Sequence, residues 1–152
     1  MSYVNHTILL LDDNLDDSRF IRLALQRVGV ITPVQALGNH EEAQQYLTGQ
    51  GKFADTKRYP QPELVLLDMM ANRLGFDFLA WLRQQPHLKR LPAVVLSSDT
   101  EAADIGRAYE IGCNSYLVKP PSFNTLLVMM QALTQYWLGF NQTPQNPANQ
   151  RS

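Results

Sequence analysis

Cysteine is almost absent from this chain. Cys113 is the only one in 152 residues, so no internal disulfide can form, and a reducing compartment is compatible with the composition. Beside Gly112 it reads as a small packed residue. Charge of either sign is also missing as a surplus: Lys+Arg of 13 against Asp+Glu of 14 leaves a net charge of -1. That balance offers no electrostatic basis for nucleic-acid binding and no acidic tail. No run approaches the ~18 consecutive apolar residues of a membrane span. The opening Met1-Ser2-Tyr3-Val4-Asn5-His6 has no basic segment followed by an apolar core, so no secretory leader is expected. Internal repeats are lacking too. These absences leave one domain with no membrane association and a cytoplasmic location as the expectation.

What is present is a set of short apolar runs ending in chemistry. Leu64-Val65-Leu66-Leu67 runs directly into Asp68, bounded by Pro60 and Pro62 before it and Gly75 after it. An unbroken run of this length fits a strand buried on both faces, as parallel sheets covered by helices require. Ile8-Leu9-Leu10-Leu11 leads likewise into Asp12-Asp13, and Ala93-Val94-Val95-Leu96 into Ser97. Ser115-Tyr116-Leu117-Val118 leads into Lys119-Pro120-Pro121. Val34-Gln35-Ala36-Leu37 is shorter and carries a polar residue, which suits an edge strand.

Helical patterns separate these runs. Phe20, Ile21, Ala24, Leu25 and Val28 form one stripe, with Arg19, Arg22, Gln26 and Arg27 opposite and Gly29 as a stop. Asn39 and Glu42 have capping-box spacing ahead of Ala43, Tyr46 and Leu47. Phe78, Leu79 and Leu82 precede Pro86. Ile105, Ala108 and Tyr109 precede Gly112. Ser122 can cap a final helix carrying Leu126, Leu127, Met130, Leu133 and Trp137. The connection over 49–61 contains Gly49-Gln50-Gly51-Lys52, but it follows a helix and lacks Walker spacing, so it reads as a surface loop. The domain is expected to span residues 1–138, with 139–152, rich in Asn, Gln and Pro, as a flexible tail.

Strict alternation of strand and helix implies an α/β, doubly wound, flavodoxin-like fold: a five-stranded parallel sheet in order 2-1-3-4-5 with helices on both faces. That order makes the first and third strands neighbours, so Asp12, Asp13 and Asp68 converge at one crevice. Three carboxylates together repel, so one is expected to stay protonated unless a cation is present, and an all-oxygen set suits Mg²⁺. Ser97 and Lys119 add a hydroxyl and an ammonium to the same rim. The combination suits a metal-assisted acceptor carboxylate with groups placed to hold phosphoryl oxygens.

An acidic pair after the first strand, Asp after the third, Ser after the fourth and Lys-Pro after the fifth together resemble the response-regulator receiver domains of two-component signalling. The resemblance covers roughly residues 6–138. Within that family the chain looks most like small single-domain regulators partnered with phytochrome-type histidine kinases. That likeness rests on Leu-Asp-Asp-Asn-Leu-Asp-Asp at 11–17, Pro86-His87-Leu88-Lys89 and Tyr136-Trp137-Leu138. The resemblance implies that Asp68 is the phosphoacceptor and that Asp12, Asp13, Asp68 and the backbone carbonyl of Met70 hold Mg²⁺. It further implies that Ser97 and Lys119 bind phosphoryl oxygens, that the Lys119–Pro120 bond is cis, and that Tyr116 is a switch aromatic.

Such a protein is a phosphoryl acceptor in a phosphorelay rather than a turnover enzyme, and its output is altered protein contacts. The loop Met70-Ala71-Asn72-Arg73-Leu74-Gly75 departs from the family pattern, keeping only the Gly. The alternative is an interaction module with this fold that works without phosphorylation. An aspartyl phosphatase would want a second Asp where Met70 stands, and a flavin phosphate would be repelled by Asp12-Asp13. Tyr136, Trp137 and Phe140 cluster at the end of the last helix, and we expect a homodimer through the last two strand–helix units.

Overall fold

The computed structural model describes Tyr3, residues 6–70 and residues 73–144. Five strands, β1 (Ile8–Leu11), β2 (Gln35–Leu37), β3 (Leu64–Leu67), β4 (Ala93–Ser97) and β5 (Ser115–Val118), alternate with five helices. These are α1 (Leu15–Arg27), α2 (His40–Thr48), α3 (Leu74–Gln84), α4 (Ala102–Ile111) and α5 (Phe123–Thr134). All four pairings are parallel and the sheet order is β2-β1-β3-β4-β5, as the alternation predicts.

The order explains the two-sided core. The chain steps one way from β1 to β2 and the other way through β3, β4 and β5, so right-handed crossovers put α1 on one face and α2, α3 and α4 on the other. Side chains in the central strands alternate accordingly. Leu9, Leu11, Val65, Leu67 and Val95 pack with Ala43, Tyr46, Phe78, Leu79 and Leu82. Ile8, Leu10, Leu64, Leu66, Val94 and Leu96 pack with Ile21, Leu25, Leu126, Met130 and Leu133 on the opposite face. β1 and β3 are buried at every position.

The edges differ from expectation in small ways. Val34 lies just outside β2. Phe20, expected in the buried stripe of α1, is 55% exposed and leans on Phe123 of α5 with ring centroids 6.2 Å apart. Tyr109 is also exposed, because the apolar stripe of α4 is wider than the face the sheet covers. The 49–61 connection is pinned down: Phe53 is buried, the Tyr46 hydroxyl donates to the Pro60 carbonyl at 2.6 Å, and Gln61 Nε2 donates to the Tyr46 carbonyl at 3.1 Å. Beyond α5 the chain winds on through a wider π-helical turn, Gln135–Phe140, so Gly139 and Phe140 are helical. Residues 145–152 of the expected tail lie outside the described residues. Among the described residues, no helix is long and apolar enough to cross a membrane.

Candidate functional site

The carboxyl ends of β1, β3, β4 and β5 meet at one rim. Register sets this: Leu11 lies beside Leu67, and the Asp68 amide donates to the Leu11 carbonyl at 2.9 Å, so Asp12 and Asp68 leave adjacent strands side by side. Asp12 is buried, Asp68 half-buried and Asp13 exposed. Oxygen atoms of Asp12, Asp13 and Asp68 all lie within 4.8 Å of one another. A hard, all-oxygen set of this kind fits a divalent cation such as Mg²⁺ or Mn²⁺, which takes carboxylate oxygens and fills its other positions with water.

Lys119 reaches into the same group from the end of β5. Its Nζ lies 2.9 Å from Asp68 Oδ1, 3.2 Å from Asp12 Oδ2 and 2.9 Å from Asp17 Oδ2. Burial works against the ammonium, but hydrogen bonds to Asp17 and Asp68, with the charges of Asp68 and Asp12, outweigh it and raise its pKa. Asp12 is shifted upward, because burial of its carboxylate and the nearby Asp68 charge exceed the help from the Asn14 amide and Lys119. The Lys119–Pro120 bond is trans, not cis, and no cis peptide bond occurs among the described residues. Trans is the lower-energy isomer of an X–Pro bond, and Lys119 reaches all three carboxylates with it.

The loop after Asp68 is tight. Met70 and Arg73 both have positive φ, 60° and 59°. The Met70 amide donates to Asp68 Oδ2 at 2.9 Å, and its half-buried side chain rests on the core beneath. Ala71 and Asn72 lie outside the described residues. Gly75 closes the loop: a Cβ there would stand 2.7 Å from the Asp68 carbonyl oxygen and 2.7 Å from Met69 Cα. Only glycine lets α3 approach the end of β3 so closely.

On the β4 and β5 side, Ser97 is buried and its Oγ accepts from the Asp99 amide at 3.1 Å. The Tyr116 hydroxyl donates to the Asp99 carbonyl at 2.8 Å, and its half-buried ring packs against the core. Thus the structure brings Asp12, Asp13, Asp68 and Lys119 together, with Met70 bonded to Asp68 and Ser97 linked through Asp99 to Tyr116. Two features escaped the sequence reading. One is Asp17 on Lys119. The other is the ion pair of Arg73 Nη1 with Asp104 Oδ1 at 3.0 Å, which ties the loop after Asp68 to α4. Asp104 is buried and hydrogen-bonded to Asp99; that bond pushes the Asp104 carboxyl up and holds Asp99 down.

This fold is that of a signalling receiver domain, and the sequence agrees: the family model for the response regulator receiver domain matches residues 8–131. The chain belongs to the response-regulator receiver-domain family of two-component signalling. Among its relatives, Response regulator Rcp1 of Synechocystis sp. is 33% identical over 132 residues, covering 86% of this chain and 88% of Rcp1. The Mn²⁺-bound form of Rcp1 superposes with a TM-score of 0.79 at 31% identity, over 92% of this chain and 99% of that one. The phosphorylated cyanobacterial phytochrome response regulator RcpA gives 0.83 at 31% identity, with the same coverage. The probable methanogenesis regulatory protein FilR2 of Methanothrix harundinacea is 33% identical over 141 residues, 90% of this chain and 86% of FilR2.

Proposed function

We propose that Asp68 accepts a phosphoryl group from a phosphohistidine of a sensor kinase, and that the phosphorylated protein signals through altered protein contacts. The observation that carries this reading is the meeting of Asp12, Asp13 and Asp68 under the single ammonium of Lys119. In the transfer, an Asp68 oxygen attacks phosphorus, the P–N bond breaks and its electron pair returns to the imidazole. Lys119, already 2.9 Å from Asp68 Oδ1, and the Ser97 hydroxyl then hold phosphoryl oxygens. Asp12, Asp13, Asp68 and the Met70 carbonyl would hold Mg²⁺, whose charge offsets that of the incoming phosphoryl group. Tyr116 reports the event through Asp99, whose amide sits on Ser97 and whose carbonyl holds the Tyr116 hydroxyl.

The kinase is of the phytochrome type on this reading; support comes from the likeness to the phytochrome response regulator RcpA. Incubation with a small phosphodonor and Mg²⁺, followed by intact mass, tests the acceptor. The wild type gains one phosphoryl group and Asp68→Asn gains none, because the amide is isosteric but a poor nucleophile. Undiminished labelling of the variant at a single site excludes Asp68.

Homodimerisation through β4–α4 and β5–α5 extends the proposal. The observation favouring it is exposed apolar surface on α5 and the turn that follows it: Val128 at 66%, Tyr136 at 54% and Phe140 at 77%. A groove lined by Leu117, Val128, Met129, Leu133 and Trp137 runs between the open edge of β5 and α5. Sedimentation should show a dimer for the phosphorylated wild type and a monomer for Tyr136→Asp/Phe140→Asp; a wild type monomeric in both phosphorylation states ends the idea.

A further inference from the structure

Lys119 uses all three N–H donors of its ammonium on carboxylates. Two of those partners, Asp12 and Asp68, belong to the oxygen cluster that fits a divalent cation; Asp17 does not. A cation drawing on Asp12 and Asp68 therefore weakens two of the three contacts while adding repulsion to an ammonium that is only 14% exposed. Asp17 is placed to keep hold. It sits in the first turn of α1, its amide takes the Asn14 Oδ1 cap at 3.0 Å, and its carboxylate meets Nζ at 2.9 Å. Its neighbour Asp16 supplies acidic charge to the same turn and makes no ion pair with Lys119.

We propose that Asp17 is a positioning residue: it holds the Lys119 ammonium at the rim while Asp12 and Asp68 are engaged by the divalent cation. The inference rests on the metal-binding reading above and deepens it. Two effects act in the same direction when Asp17 is neutralised. The rim loses one negative charge, and Lys119 leans harder on Asp12 and Asp68, competing with the cation for their oxygens. Metal affinity must fall, although Asp17 touches no metal.

The test is calorimetric titration of the full chain with MgCl₂ for the wild type, Asp17→Asn, Asp16→Asn, Lys119→Met and the Asp17→Asn/Lys119→Met double variant. Asp17→Asn should bind Mg²⁺ roughly three- to tenfold more weakly, the size expected for one partly screened carboxylate plus the added competition. Asp16→Asn, which removes the same charge without touching the Lys119 contact, should change affinity by less than about twofold. In the Lys119→Met background the Asp17→Asn loss should shrink to that same small effect. A wild type that binds Mg²⁺ with Asp17→Asn at equal affinity overturns this inference alone. An equal loss with and without Lys119 also overturns it, leaving Asp17 as a distant charge. A wild type that takes no Mg²⁺ overturns the metal-binding reading and this inference with it.

Discussion

The two ends of the sheet each hold a cation in a recess, by opposite means. At the carboxyl end Lys119 is held by three carboxylates, Asp12, Asp17 and Asp68. At the amino end Arg83 is held by neutral oxygens. Its Nε donates to the Gly112 carbonyl at 2.7 Å, Nη1 to the Leu91 carbonyl at 2.8 Å and Nη2 to Asn114 Oδ1 at 3.0 Å. Gly112, with φ 133°, is needed for this: a Cβ there would stand 2.9 Å from Arg83 Cγ. Carbonyls cannot change charge or leave, so the Arg83 site is a fixed staple between the end of α3 and the loops that lead into β4 and β5. Carboxylates can be claimed by a metal, a proton or a phosphoryl group, so the Lys119 site is exchangeable. Interaction energy alone does not mark a functional site; partners that can be traded do.

The sharpest way to break this contrast is to delete each cation. Arg83→Ala strands several carbonyls that its guanidinium now satisfies and should lower stability by about 3 kcal/mol, seen as a lower urea midpoint. Added Mg²⁺ should not restore it, and the fraction still folded should take phosphate at the wild-type rate. Lys119→Met should cost about 2 kcal/mol in EDTA, because it leaves crowded carboxylates without their counterion. Here Mg²⁺ should recover most of the loss. Rescue of Arg83→Ala, or none for Lys119→Met, removes the distinction.

A smaller effect concerns pH. The Asp12 carboxyl titrates higher in the folded protein than in the unfolded chain, so the folded state keeps that proton to higher pH. Its contribution to stability therefore falls as pH rises from the unfolded value, about 3.9, through the raised one. Asp12→Asn mimics the neutral acid, so metal-free variant protein should gain stability relative to wild type as pH climbs through this window. Urea midpoints of both proteins in EDTA across pH 4–7 check it, and parallel curves would refute it.

The fold was legible because strands buried on both faces leave unbroken apolar runs, and β1, β3 and β4 are buried throughout. The rim was legible for a related reason: in this sheet order, a polar residue directly after a run is delivered to one crevice. What failed to show was whatever depends on helix rotation or on backbone partners. Asp17 lies on a helix, and its rotation about α1 decides whether it faces Lys119. Arg73 and Asp104 are 31 residues apart and meet only in three dimensions. Arg83 bonds mostly to main-chain oxygens, which leave no trace in side-chain identity. The cis Lys119–Pro120 bond came from family likeness alone, and the backbone here is trans.

The Arg73–Asp104 ion pair joins the loop after Asp68 to α4. Arg73 stands five residues beyond Asp68; Asp104 touches Asp99, and Asp99 holds both Ser97 and Tyr116. Free-energy coupling through such a chain is reciprocal. If a phosphoryl group on Asp68 changes how α4 greets a partner, a partner gripping α4 must change the affinity of Asp68 for that phosphoryl group by the same factor. The listener then shifts the equilibrium of the message it reads.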